Sequence, residues 1–256
     1  MIRNLKYAIL YSFLFMVFVP FFTSCGEDDL EDSKFRKMTV ERNEFDNWLL
    51  ANYVQPYNID LKYQLEDIET DMSYNLVPAE LDKAKEMAKL IKHLWLGAYD
   101  EVCGEVFMKQ YGPRIINLIG SSAVNPDSKT EVLGTADKGL KVTLYKINSL
   151  DKTNIELLNL YYFRTMHHEF AHILHQTKDY PIEYNEITVG KYAGPSWTNL
   201  TEEEALELGF ISNYASTEPQ EDFVEMIANY VTHNAQWWRE RMDMAGDGKE
   251  ALQQKL

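Results

Sequence analysis

His168-Glu169-Phe170-Ala171-His172, followed by Ile173-Leu174-His175, decides how this chain is read. Four of the six histidines among 256 residues fall between His167 and His175. The first five residues form an H-E-x-x-H pattern. On an α-helix, residues four apart share a face one turn apart. His168 and His172 can therefore both direct an imidazole at one metal ion. Glu169 stands beside the first of them, close enough to hold a water at the metal. This is the arrangement of a zinc hydrolase in which zinc activates water and Glu169 is the general base.

The pattern needs a helix, and the spacing predicts one over residues 155–176. Ile155, Leu158, Tyr162, Met166, Phe170, Ile173 and Leu174 recur near the helical period, with no proline or glycine between them. A middle this apolar suits a central, half-buried helix. A catalytic zinc site takes a third protein ligand and keeps a position open for water. His175 shares the face, but seven residues of helix rise about 10.5 Å. Three imidazoles at about 2.0 Å from one zinc cannot easily span that rise. The longer metzincin motif bends the chain at a glycine before its third histidine. Here His175 and Lys178 occupy those two positions, which excludes that class. His175 is read as a residue of the cleft wall or of the layer behind the ligands.

The missing ligand is sought downstream, over Glu218 to Tyr230, which also reads as a helix. Pro219 suits its first turn, and acidic residues there complement the helix dipole. Glu221 and Glu225 share one face; Phe223, Ile227 and Tyr230 lie on another. Acidic residues in a first turn are common for dipole reasons alone. With two histidines lacking a partner, a glutamate from this helix becomes the favoured third ligand.

The stretch from Tyr161 to Gln176 resembles a family of Bacteroidota lipoproteins described as putative zinc-binding metallopeptidases, or substrate import-associated zinc metallohydrolase lipoproteins. Leu118-Ile119-Gly120-Ser121 and the segment Gly134 to Tyr145 are similar to the same family, so the likeness covers most of the mature chain. A more distant likeness joins Tyr214 and Glu221-Asp222-Phe223-Val224-Glu225 to lethal factor-type gluzincins. There a tyrosine precedes the ligand glutamate by seven residues, and Val224 here replaces the usual alanine. This likeness implies Glu221 as zinc ligand, Glu225 as a carboxylate behind the ligands, and Tyr214 as a hydroxyl that stabilises the transition state. A register shifted by one turn makes Glu225 the ligand instead.

The N-terminus reads as a targeting segment. Arg3 and Lys6 precede an apolar run from Tyr7 to Phe22, too short for a transmembrane helix of about 20 residues. Thr23-Ser24-Cys25-Gly26 resembles a bacterial lipobox, implying cleavage before Cys25, lipidation of its thiol and an outer-membrane lipoprotein. Residues 1–24 are the signal peptide and residues 25–40 an acidic tether. Glu27-Asp28-Asp29-Leu30-Glu31-Asp32 resembles a surface-export signal. Residues 41–256 form the hydrolase domain, large enough for a sizeable core. Cleavage removes two of 25 basic residues and no acidic one, leaving 23 against 40, a net charge of −17. Such a surface excludes nucleic acid as a partner. Cys103 is then the one remaining thiol, so no intramolecular disulfide is available, and it is expected in the core.

Phe45, Trp48, Leu49 and Tyr53 predict a first helix, and Tyr57 to Leu65 a short strand. Pro78 to Val102 predicts a long helix with Leu81, Ala84, Met87, Ile91, Leu94 and Trp95 on one side. Ile115 to Ile119 and Leu140 to Tyr145 have strand character, with Gly134 and Gly139 as turns between them. Tyr184, Tyr192, Pro195 and Trp197, between the two metal helices, are candidates to line a cleft. Trp237 and Trp238 are read as packing residues. The final helix from Gly248 stops without a cap, which reads as a truncated C-terminus. This order gives an α+β, zincin-like fold, mostly helical with a small mixed sheet. The resemblance implies a zinc metallopeptidase acting on peptide or glycopeptide beside a TonB-dependent importer. The alternative is a lipoprotein that captures substrate for such an importer without cutting it.

Overall fold

Asn43 starts the described fold with a reciprocal cap. Its side chain accepts from the Asp46 backbone N–H at 2.9 Å, and the Asp46 carboxylate accepts from the Asn43 N–H at 2.9 Å. The computed structural model describes residues 41–256 apart from 71–72, 125–130, 133 and 138–139. Residues 1–40, expected to hold a targeting segment and a tether, and Gly139 lie outside the described residues. Residues 42–256 cluster as one unit. Helix α1 (Glu44–Leu49) runs through a π-helical stretch at Leu50–Val54, with Phe45, Leu49 and Tyr53 buried. Strand β1 (Asp60–Lys62) follows.

The long helix differs from expectation at its start. It begins at α2 (Leu81–Leu90), because Pro78 is held outside it by a bridge to Ile119. A π-helical stretch at Ile91–Leu96 then joins α2 to a further helix, Gly97–Cys103. A π turn inserts one residue and rotates the apolar stripe. Ala84, Met87, Ile91 and Trp95 are buried as expected, but Leu94 turns outward and Leu96 takes the inner position. Cys103 is exposed at the helix end beside exposed Val102, not in the core.

Strands β2 (Ile115–Leu118), β3 (Ala123–Val124), β4 (Glu131–Val132), β5 (Gly134–Asp137) and β6 (Lys141–Leu144) complete the β structure. The main sheet runs β1-β2-β6-β5. Its first two pairings are parallel and β5–β6 is antiparallel, so the sheet is mixed. Ile116 opposes Val142 and Leu118 opposes Leu144, all four buried. Gly134 is the first residue of β5, not a turn.

Helix α3 (Arg164–His175) lies beside β5 and β6. A short helix, Ile155–Leu158, and a π-helical stretch at Asn159–Phe163 lead into it. Met166, Phe170 and Ile173 face the main core, where Phe170 meets Trp95 edge-on at 5.5 Å. Ile155, at the far end, is exposed.

Helices α4 (Glu202–Leu208), α5 (Pro219–Thr232), α6 (Ala235–Met244) and α7 (Lys249–Lys255) build a second apolar cluster around Leu206, Phe210, Met226, Met242 and Leu252. Trp237 and Trp238 pack against it. Lys255, on the final helix, is buried beside Asp222 at 2.5 Å and also donates to the Gly209 carbonyl at 2.8 Å. The architecture is the expected α+β one, and α5 packs against α3 where the two clusters meet.

Candidate metal centre

The centre is made by two helices whose sequences put donors on facing sides. On α3, His168 and His172 project from one face with ring centroids 4.9 Å apart. On α5, extended Glu218 precedes Pro219 at the first helical position, and Glu221 follows in the first turn. Helix packing brings Glu221 Oε2 to 3.2 Å from His168 Nε2 and Oε1 to 3.3 Å from His172 Nε2. Among the described residues, one ligand atom from each of the three lies within 4.8 Å of the others.

Glu225 stands one turn further along α5, on the other side of His168. Its Oε1 is 2.9 Å from His168 Nδ1. Its Oε2 accepts from the Ser212 hydroxyl at 2.7 Å. Asn229, four residues on, donates to the Glu225 carbonyl at 2.9 Å. Glu225 thus grips the back of the imidazole, while Glu221 faces its front. It is the Glu221 carboxylate, not that of Glu225, that lies within reach of both His168 and His172.

The donor set fits a metal ion for a specific reason. A carboxylate can only accept, so His168 donates through Nδ1 to Glu225. Nε2 of the neutral ring then carries a lone pair, and it faces Glu221 Oε2, a buried oxygen with no hydrogen-bond partner. Two acceptors at that distance repel unless a proton or a metal cation lies between them. Where no metal lies between them a proton must, and the carboxylates of Glu221 and Glu225 outweigh the burial that works against a charged His168 and bring the imidazole up to about 10. Burial likewise raises the two glutamates, but their bonds with the histidines reverse this and hold each at about 2. Donors about 2.0–2.1 Å from one tetrahedral ion stand roughly 3.4 Å apart; each His–Glu221 separation is close to this, each to a different carboxylate oxygen, while the set as a whole spans up to 4.8 Å.

Around this centre lies a cavity of about 380 Å³, lined by His168, Glu169, Tyr214, Trp197, Ser212 and Arg164 among others. Glu169 is buried in its wall. Tyr214 opens a short 3-10 turn, with its ring 5.9 Å from that of His168 and edge-on to Trp197 at 5.1 Å. Burial raises the Tyr214 hydroxyl pKa first, and the charges of Glu221, Glu169 and Glu225 add to it. The phenol therefore stays protonated and remains a donor at neutral pH.

The family model described as "Putative zinc-binding metallo-peptidase" matches residues 37–256. The chain belongs to this family. It is also similar to a protein of known crystal structure, described as a putative zinc-binding metallo-peptidase from Bacteroides caccae. The two share 47% identity over 84% of each chain, with a TM-score of 0.72. No curated protein matches the chain. Two imidazoles and a carboxylate are a donor set that zinc sites use, and this family is described as zinc-binding.

Other residues singled out in the sequence fall elsewhere. His175 packs against Tyr180 with ring centroids 4.7 Å apart and lies 3.4 Å from Asp179, in an aromatic group with Phe223. Of the four loop residues expected to line the cleft, Trp197 does. Tyr184 and Tyr192 pack into the second cluster, and Pro195 is exposed. Ser212 escaped the sequence reading, and no local pattern marks it. Asn229 and Arg164 could have been found, since each sits four residues from a site residue on the same helix.

Proposed function

We propose that this chain hydrolyses peptide bonds, with zinc held by His168, His172 and Glu221. The observation that carries the reading is the convergence of these three donors, one of which, His168, lines a cavity together with Glu169 and Tyr214. Zinc, when bound, supplies a Lewis acid that polarises a carbonyl and makes water more acidic. Glu169 takes the proton from the attacking water. Tyr214 donates its hydroxyl to the oxyanion that develops on the substrate. Glu225, backed by Ser212 and Asn229, fixes the ring and tautomer of His168. A purely structural zinc is usually closed by four protein ligands, often with cysteine. Three donors beside an open cavity favour catalysis over capture alone.

The test is zinc content of the purified protein by elemental mass spectrometry, alongside His172→Ala and Glu221→Ala. The expected result is about one zinc per chain in the unchanged protein, lost in both variants. Zinc retained in Glu221→Ala would move the third ligand elsewhere. No zinc after incubation with metal would favour a binding lipoprotein.

We also propose that Cys25 is lipidated, anchors the protein to the outer membrane with the domain at the cell surface, and places it beside a TonB-dependent importer. The support is the Thr23-Ser24-Cys25-Gly26 pattern after an apolar run. Among the described residues, no helix is long and apolar enough to cross a membrane. Labelled palmitate should enter the unchanged protein and not Cys25→Ala.

A further inference from the structure

We propose that Arg164 selects the substrate by binding a carboxylate close to the scissile bond; this deepens the peptidase reading and rests on it. Arg164 opens α3 one turn before His168 and on the same face. Its side chain is half-buried and lines the same cavity as His168, Glu169 and Tyr214. Among the described residues the guanidinium makes no hydrogen bond and no ion pair, and only the longer-range charge of Glu225 and the ring of His233 sense it.

The neighbouring acids explain why it is uncommitted. Glu225 gives its oxygens to His168 and Ser212. Glu202 pairs with Arg241 at 3.3 Å and accepts from the Asn213 N–H at 3.3 Å. Glu131 pairs with Lys146 at 3.1 Å and accepts from Ser122 at 2.6 Å. Among the described residues, each carboxylate on this wall already has a partner and the Arg164 guanidinium has none.

Withdrawing a guanidinium from water without a partner is unfavourable, and its planar fork matches a carboxylate through two parallel hydrogen bonds. Four residues of helix, about 6 Å, separate Arg164 from His168 along the axis. An extended peptide advances about 3.3 Å per residue, so the group it grips lies one or two residues from the bond that is cut. The cavity is at the small end for ligand sites, which suits the end of a short chain. A protein of net charge −15 repels anions at a distance. Selection must therefore come from this contact and not from long-range steering.

The carboxylate has two possible sources, a peptide C-terminus or an acidic side chain. The probes are N-acetylated alanine peptides of two to six residues, as free acids and as amides, and amidated versions carrying one glutamate. They are given to the zinc-loaded full chain, to Arg164→Gln and to Arg164→Lys, and kcat/KM is measured. Binding of the same peptides to Glu169→Gln, with and without Arg164→Gln, is followed by calorimetry. The expected result is a preference of about tenfold to a hundredfold for carboxylate-bearing peptides. It collapses towards unity in Arg164→Gln, is partly kept in Arg164→Lys, and leaves zinc content and thermal unfolding unchanged. Preference for free acids identifies the terminus as the source, and preference for the glutamate amides identifies the side chain. Equal treatment of all peptides by the unchanged protein, or a preference that survives Arg164→Gln, overturns the proposal. Absent hydrolysis with Arg164-dependent binding would remove the peptidase reading and leave the carboxylate site standing.

Discussion

His168 is the residue on which both halves of the site act. Glu221 meets Nε2 and Glu225 meets Nδ1, so one ring joins the proposed ligand shell to the hydrogen bonds behind it. Glu225→Gln keeps the shape but turns a charged acceptor into an amide. Zinc affinity measured by chelator competition should fall about tenfold to a hundredfold. An unchanged affinity would show that Glu225 only fills space. Glu169→Gln should behave in the opposite way, keeping zinc while turnover falls by about 10²–10⁴-fold. Retained hydrolysis in that variant would remove Glu169 as the base. His168, Glu169 and His172 were legible because helical spacing fixes which residues share a face. His175 obeys the same spacing, yet it packs against Tyr180, because one further turn carries its ring away along the axis. Ser212 was not legible, since its contact with Glu225 joins a loop to a helix and has no period.

At the scale of elements, the misreadings have one main cause. Helices were placed by a period of 3.6, and three of them contain a π-helical stretch that inserts a residue. Leu94 and Leu96 therefore exchange roles, although the helix itself was legible from its apolar spacing. Strands β2 and β6 were readable as apolar runs. Strand β5 was not, because Gly134 at its start imitates a turn. Helix α5 shows what a stripe cannot reveal. Its buried residues include Asp222, Glu225 and Asn229, while Tyr230 is exposed. Asp222 accepts from Lys255 at 2.5 Å and from Tyr192 at 3.0 Å. Burial pushes the Asp222 carboxyl up and the Lys255 amine down, so each needs the other to stay charged. Lys255→Met should cost about 3–5 kcal/mol by leaving a buried carboxylate without its cation. Urea unfolding measures this loss, and a change under 1 kcal/mol would mean that Asp222 simply takes a proton instead.

For the whole molecule, the two apolar clusters meet along α3 and α5, and the three proposed ligands span that seam. His168 and His172 belong to a helix rooted in the main core through Met166 and Phe170. Glu221 belongs to a helix whose Met226 is rooted in the second cluster. A bound zinc would thus cross-link the two, and its removal would leave His168 and Glu221 joined only through a shared proton. At a zinc concentration of 1,000 times Kd, binding adds about 4 kcal/mol to the folded state. For a domain of this size, each kcal/mol moves Tm by about 2–4 °C, so chelation should lower Tm by roughly 8–16 °C. The loss should also be uneven. Helices α4 to α7 lie apart from the sheet, and α5 is anchored beside the site. Amide exchange should therefore accelerate more in residues 202–255 than in β2 and β6 when zinc is removed. Equal acceleration in both regions would indicate that the molecule unfolds as one unit and that zinc stabilises it globally, without the seam acting as a weak line.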